Sequence, residues 1–239
     1  MTTVHLIGGG WDPAAAPALY GPFLEAAGGS PTVATVVLDE GGGRAEFRRW
    51  AEVLRRTGPC TPVPVLVRLG SRLDPAALGD ADALFVCGGL TPGYADAMVP
   101  AADAIRSWLT EGGRPYGGSS AGAAVAAGRA LLGGWMDGDV QVCPDDAGED
   151  LDEVTVGAGL GLVPWMVDVH CAQWGTLPRL VTAVAREGLR GLALDENTAL
   201  HLTADGARVA GSGTAWSVRP DGVGVAVTAV RAGGRLPAE

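Results

Sequence analysis

The first residue that suggests chemistry is Ser120, in the pentapeptide Gly118-Ser119-Ser120-Ala121-Gly122. This is the spacing of a nucleophile elbow, in which two glycines allow a sharp turn and lift a serine hydroxyl above the end of a strand. The pattern alone has moderate specificity in a chain with 38 glycines. The alternative is that the two serines cap the following helix, since serine is a favoured N-cap residue. The sequence predicts Ser120 as a nucleophile.

A candidate base for this serine is His170, one of three histidines. It directly follows the apolar run 165–169, which is typical of a strand, so we expect it at the edge of a sheet, downstream of Ser120. A neutral imidazole there could accept the serine proton and later return it to a leaving amine. A hydrogen-bonded structural histidine is the alternative. His5 and His201 lie inside predicted strands, and we expect both to be structural.

A second glycine turn, Gly88-Gly89, follows the strand that precedes the elbow in the chain. The backbone amides of Gly89 and Ala121 could together bind an oxyanion. The glycines by themselves are equally consistent with an ordinary turn at the end of a strand.

Alternating strands and helices must position these residues. Apolar runs predict strands over 3–7, 32–38, 63–69, 83–87 and 115–119, and helical patterns cover 44–57, 95–111 and 120–132. The acidic segment 133–153 is predicted as a long surface loop or lid, and short strands and hairpins follow residue 191. We therefore predict one α/β domain over 1–239, with a mostly parallel central sheet, helices on both faces and C-terminal hairpins at one edge.

Composition excludes several classes of protein. A net charge of -10 argues against nucleic-acid partners, which require clustered Lys and Arg. No apolar stretch approaches the roughly 20 residues that span a bilayer, and the chain opens with a strand-like run, so we expect neither membrane nor export and assign the cytoplasm. The four cysteines lack metal-ligand spacing, so we expect reduced thiols and no metal. We also expect no cofactor. The sequence leaves open whether the protein forms a homodimer.

Four segments together resemble one known family. They are 85–89, the stretch 117–124 around the elbow, the pair 159–164 and 168–170, and Gly191-Leu192-Ala193-Leu194-Asp195-Glu196-Asn197-Thr198-Ala199. In this order and spacing they resemble the serine peptidase family of cyanophycinase and the aspartyl dipeptidases (peptidase E-like). That family has a class I glutamine amidotransferase-like fold, related to the flavodoxin-like sheets.

The resemblance implies a role for each candidate residue. Ser120 would be the nucleophile, His170 the base, and the amides of Gly89 and Ala121 the oxyanion hole. The family places an acidic residue between the serine and the histidine. We predict that this third member is Asp137, and the alternatives are Asp139, Glu149 and Asp152. The acidic side chains of this segment could instead simply solvate a loop.

The region after the histidine departs from the family pattern. Trp174 stands where cyanophycinase-like members are expected to have a substrate-anchoring arginine, and only Arg179 remains. A tryptophan cannot pair bidentately with a carboxylate, which argues against cleavage of β-aspartyl-arginine. We predict Asp168, Arg179 and Trp174 as contacts for a small charged peptide. Asp168 and Arg179 could equally form a structural ion pair.

The sequence thus predicts a serine hydrolase that cleaves a short peptide or isopeptide bond, with aspartyl and β-aspartyl bonds among the options, through an acyl-enzyme. One alternative is a non-catalytic protein of the same fold that binds a small ligand. Another is an acyl-transfer or amidohydrolase variant, although the usual cysteine nucleophile of that fold is a serine here.

Overall fold

The structure is a computed structural model that describes residues 2–236. Its helices are α1 (Ala16–Ala27), α2 (Gly43–Thr57), α3 (Thr91–Met98), α4 (Ala102–Glu111), α5 (Ala121–Ala124), α6 (Cys171–Trp174) and α7 (Leu177–Glu187). Short 3₁₀ turns cover Pro75–Leu78, Val99–Ala101 and Asp145–Ala147. No helix in this described range is long and apolar enough to cross a membrane.

The strands are β1 (Val4–Ile7), β2 (Thr32–Asp39), β3 (Thr61–Arg68), β4 (Ala83–Val86), β5 (Tyr116–Ser119), β6 (Arg129–Gly133), β7 (Met136–Asp137), β8 (Val140–Gln141), β9 (Thr155–Ala158), β10 (Met166–Asp168), β11 (Gly191–Leu194), β12 (Thr198–Thr203), β13 (Gly206–Gly211), β14 (Thr214–Asp221) and β15 (Gly224–Arg231).

Seven strands form the central sheet, in the order β13-β12-β1-β5-β4-β2-β3. The five strands from β1 to β3 in this order run parallel, and the β12–β13 hairpin adds two antiparallel strands at one edge. At the other edge, β3 contains Pro62 and Pro64, which an edge strand tolerates because half of its N–H groups need no partner. The predicted mostly parallel sheet is confirmed.

Helices cover both faces of this sheet because successive residues of a strand point to opposite sides. In β2, Val33 and Val37 pack with Phe23 of α1 and Trp50 of α2. The alternate residues of the same strand pack on the other face, in the core that contains α3 and α4. A buried strand in the middle of such a layered core is apolar on both sides, as β2 is.

A smaller sheet, β10-β11-β14-β15, lies beside the central one. Its first two strands are parallel, with Asp168 opposite Ala193. Helix α7 packs on it through Leu180 and Val184, next to Met166. The C-terminal strands are therefore divided between two sheets, and only β12 and β13 extend the central one.

The predicted helix over 120–132 is wrong beyond its first turn. Helix α5 ends at Ala124, and the chain then runs alongside residues 160–163, where Leu160 N donates to Val125 O and Leu162 N donates to Ala126 O. These long-range backbone bonds override the helix propensity of alanine, which is a weak preference. The predicted helix over 95–111 is divided by the turn at Pro100, whose ring removes an N–H from the helical ladder.

His5 and His201 form a buried pair in which their Nδ1 atoms are 2.9 Å apart. His201 Nε2 donates to Ala18 O, so its Nδ1 accepts and His5 Nδ1 donates. Burial, helped by the neighbouring His201, lowers the pKa of His5 to about 3. The pair is neutral and holds β1 against β12, away from Ser120.

Candidate active site

Ser120 lies on a sharp turn between β5 and α5. Its backbone has φ 53° and ψ -118°, a conformation that costs energy for any residue with a side chain and is typical of functional sites. The neighbouring glycines are required by close packing. A Cβ on Gly118 would be 2.3 Å from Gly122 O, and a Cβ on Gly122 would be 2.2 Å from Val86 O. The pentapeptide therefore forms the strained elbow that its spacing indicates.

His170 follows β10 and directs its ring toward this serine. Ser120 Oγ and His170 Nε2 are 2.9 Å apart, and His170 Nδ1 is 2.8 Å from Glu196 Oε1. In the neutral imidazole with a proton on Nδ1, Nδ1 donates to Glu196 and Nε2 accepts from the serine hydroxyl. The three side chains form one hydrogen-bonded series, in the arrangement that activates a serine in hydrolytic triads.

The His170 ring is in close contact with two other residues. Trp174 stacks on one face, with ring centroids 3.9 Å apart and planes 8° from parallel. The turn after β1 also approaches the ring, since a Cβ on Gly9 would be 2.1 Å from His170 Cε1. The backbone is held as well, since His170 N donates to Gly8 O at 3.0 Å. The glycines after β1 therefore help to position the histidine, and Trp174 contacts its ring directly.

Glu196 follows β11, in a loop fixed by several hydrogen bonds. Its own amide donates to Gln173 Oε1 at 2.8 Å, and the next amide, of Asn197, donates to Gly9 O at 2.8 Å. The preceding Asp195 is buried and accepts from Ala172 N and from the Trp216 indole. The turn after β1 therefore holds both site residues, because Gly8 O accepts from His170 N and Gly9 O accepts from the amide that follows Glu196.

The prediction that Asp137 is the partner of His170 is wrong, because the carboxylate beside His170 Nδ1 is that of Glu196. Asp137 lies in the short β7–β8 hairpin, where its carboxylate is half exposed and 3.8 Å from Arg186. The alternatives are also elsewhere. Asp139 is exposed, Glu149 accepts from Thr91 N, and Asp152 accepts from the Trp135 indole.

A signal for Glu196 was present in the sequence, because it lies two residues after the strand 191–194 within the segment quoted for the resemblance. The parallel pairing of β10 with β11 brings the two carboxyl ends to one edge, so the residues that follow them become neighbours. The sequence alone does not show that these two strands are adjacent.

Asp168 and Arg179 form a buried ion pair. Arg179 Nε and Nη2 donate to the two carboxylate oxygens at 3.0 and 2.7 Å, and both side chains are at most 5% exposed. Arg179 also donates to Gly134 O and Ala147 O, so it pins the segment 133–153 against α7. The predicted substrate contacts at these two residues are wrong, because neither lines the cleft. Removing one partner of such a pair typically costs about 3–5 kcal/mol of stability.

The amides predicted for the oxyanion hole flank Ser120. Ala121 is the first residue of α5, where an amide has no partner within its own helix. Gly89 has φ 149°, and both Gly88 and Gly89 line the cleft beside the serine. A Cβ on Gly88 would lie 3.2 Å from Ser120 Cβ, which shows how closely this turn approaches the nucleophile. The geometry is compatible with the predicted role of both amides.

Two cavities meet at Ser120. One has a volume of about 470 Å³ and is bounded by the tryptophans 11, 50 and 174, by Glu40 and by Glu46. The other, of about 650 Å³, lies under the acidic segment and shares Glu40, Gly89, Ser120 and Trp174 with the first. Within residues 2–236, no group of three or more His, Cys, Asp or Glu side chains is arranged to hold a metal ion. The arrangement brings a serine hydroxyl, an imidazole and two backbone amides together where the cavities meet.

The protonation of His170 gives a test of this geometry. Burial lowers the pKa of His170 below the ordinary 6.5, although the hydrogen bond and charge of Glu196 oppose the change. The imidazole is therefore neutral at pH 7 and available to accept a proton. We expect its NMR ring signal, assigned by its loss in His170→Asn, to titrate with a midpoint below 6.5. A midpoint above 6.5 would contradict the burial seen here.

Comparisons with known proteins show the family and the fold of the chain. The model of peptidase family S51 matches residues 71–210, more than half of the chain, and this range contains Ser120, His170 and Glu196. No curated protein matches the sequence. Among solved structures, the chain is similar to a "Putative Peptidase E Protein from Listeria monocytogenes EGD-e". The identity is 15%, the TM-score 0.59, and the match covers 88% of this chain and 98% of that one. At this identity the likeness shows the fold.

Proposed function

This chain belongs to peptidase family S51, and from that premise we propose that it is a serine peptidase that cleaves a short peptide or isopeptide bond through an acyl-enzyme. One observation carries the proposal. Ser120, His170 and Glu196 are joined by hydrogen bonds of 2.9 and 2.8 Å at the junction of two cavities. Membership of the family makes the chain a peptidase, and the serine mechanism is our assignment from these contacts.

In the first half of the reaction, Ser120 Oγ attacks the carbonyl carbon while His170 Nε2 accepts its proton. Glu196 stabilises the imidazolium through Nδ1 and keeps the ring in the correct tautomer. The amides of Gly89 and Ala121 donate to the developing oxyanion. His170 then gives the proton to the leaving amine, and the C–N bond breaks to leave the acyl group on Ser120.

In the second half, a water molecule replaces the amine. His170 accepts a proton from the water, which attacks the acyl carbon, and the serine leaves as the proton returns to its oxygen. Trp174 covers one face of the imidazole during both halves. The ring therefore stays oriented between serine and substrate while its charge changes.

The dimensions of the cleft favour short substrates. The cavity of about 470 Å³ is within the range of small-ligand sites and is bounded by Trp11 and Trp50. On the opposite side, the segment 133–153 borders the second cavity and is fixed to α7 by Arg179. A few residues of extended peptide fit between these walls, whereas the walls would keep a folded protein from reaching Ser120.

Covalent labelling tests the proposal directly. We expect an alkyl fluorophosphonate to add one phosphonyl group to the wild-type protein, because only an activated serine attacks such phosphorus centres at an appreciable rate. Peptide mapping by mass spectrometry should locate the group on Ser120.

The matched control is the neighbouring serine. Ser119→Ala should be labelled like the wild type, since Ser119 is fully buried, whereas Ser120→Ala should not be labelled. An unlabelled wild-type protein, or a label that persists in Ser120→Ala, would refute the assignment of the nucleophile.

A further inference from the structure

Two glutamates stand in the cavity next to the nucleophile. Glu40 and Glu46 line the cavity of about 470 Å³ together with Ser120, and no arginine lines it. The chain contains no lysine at all. In the described part of the chain neither glutamate forms an ion pair, and Glu40 accepts a hydrogen bond from Leu90 N at 3.3 Å. No ion pair with a described side chain therefore offsets their charge.

Glu40 is also close to the oxyanion site. A Cβ on Gly89 would lie 3.3 Å from Glu40 Oε1, and the amide of the next residue donates to the same oxygen. A carboxylate beside a developing oxyanion disfavours that oxyanion by Coulomb repulsion. A positive charge supplied by the substrate would remove this repulsion, and the benefit would increase in the transition state, where the negative charge forms.

The aromatic walls of the cavity suit a cation as well. Trp11 packs against Trp50 with ring centroids 4.5 Å apart, and the Arg49 guanidinium carbon lies 3.5 Å from the Trp11 centroid. Trp11 thus already contacts a guanidinium, which is attracted by the electron-rich face of an indole. This wall of the cavity therefore contains an indole that attracts cations.

Among residues 2–236, no arginine lines either of the two cavities at Ser120. The second cavity is lined by four aspartates and two glutamates and by no arginine. Arg179, the one basic residue near the histidine in sequence, is buried in its pair with Asp168. An aspartyl substrate would bring its negative charge among carboxylates, without the guanidinium fork that recognises such groups.

We propose that the acyl part of the substrate carries a positively charged group, an amine or guanidinium, which Glu40 and Glu46 bind beside Ser120. This inference rests on the proposed function and makes its substrates cationic peptides. The positive group could be the side chain of the residue that acylates Ser120 or a free α-amine, and both share the same chemistry toward the carboxylates.

Diphenyl phosphonates distinguish these sources, since Ser120 Oγ displaces one phenol from phosphorus and the rate reports recognition of the acyl part. We would compare probes with the side chains of lysine, norleucine and aspartate, each with a free and an acetylated α-amine. Intact mass would follow the inactivation of the full-length protein. We expect the lysine probe to react at least about tenfold faster than norleucine, or the free amines faster than the acetylated ones, and aspartate to be slowest. The preference should weaken as salt is raised.

The variant Glu40→Gln/Glu46→Gln should bring the lysine and norleucine rates, or those of free and acetylated probes, close together while Ser120 remains reactive. Glu111→Gln, an exposed change outside the cavity, is the matched control and should keep the preference. Equal rates for charged and neutral probes, a faster aspartate probe, or a preference that survives the double change would overturn the inference and leave the serine mechanism standing. Failure of every probe and of the fluorophosphonate to label Ser120 would instead refute the proposed function.

Discussion

Ser120→Ala is expected to lower kcat/KM for a peptide substrate by about 10⁴-fold or more, as loss of a triad nucleophile does in other serine hydrolases. Alanine keeps the Cβ and removes only the hydroxyl that lies 2.9 Å from His170 Nε2. No acyl-enzyme can then form, and the remaining rate comes from the oxyanion amides and from binding. The measurement is the hydrolysis of one peptide by wild type and variant under identical conditions.

A loss of activity could also arise from misfolding, so the thermal midpoint of each protein must be compared. Ser120 has φ 53°, and alanine is subject to the same backbone strain as serine there, so we expect the midpoints to agree closely. Ser119→Ala, one residue away on the buried side of the elbow, should retain most of the activity. If Ser120→Ala were as active as the wild type, the serine mechanism would be excluded.

Glu196→Gln should lower kcat by about 10²- to 10⁴-fold, with little change in stability. Glutamine has nearly the same shape, but it lacks the charge that stabilises the imidazolium. Its amide can also donate to Nδ1, which would favour the tautomer that cannot accept the serine proton. Because Glu196 raises the pKa of His170, its replacement should also move the NMR midpoint of His170 further down.

Asp137→Asn is the matched control for this experiment, since it removes a carboxylate from the position that the sequence favours for the third residue. Its side chain is half exposed and 3.8 Å from Arg186, so we expect activity and the His170 midpoint to stay close to those of the wild type. The opposite pattern, in which Asp137→Asn is inactive and Glu196→Gln is normal, would show that the contact between His170 and Glu196 is not used.

Local patterns in the sequence determined much of this protein. The runs of β2 and β4 are apolar throughout because both faces of a covered parallel sheet are buried, and the glycines of the elbow are needed wherever such a turn is built. The same local logic singled out Ser120 and placed His170 after a strand. Each of these features depends on neighbours within a few residues, so it can be predicted from the sequence alone.

The tertiary structure decided which distant residues meet. Glu196 becomes the partner of His170 because β10 and β11 are adjacent and parallel. The residues after α5 leave the helix because their backbone bonds go to 160–163, not to the preceding turn. Such contacts depend on strand order and on competition between local and long-range hydrogen bonds, and neither is encoded in the spacing of residues along the chain.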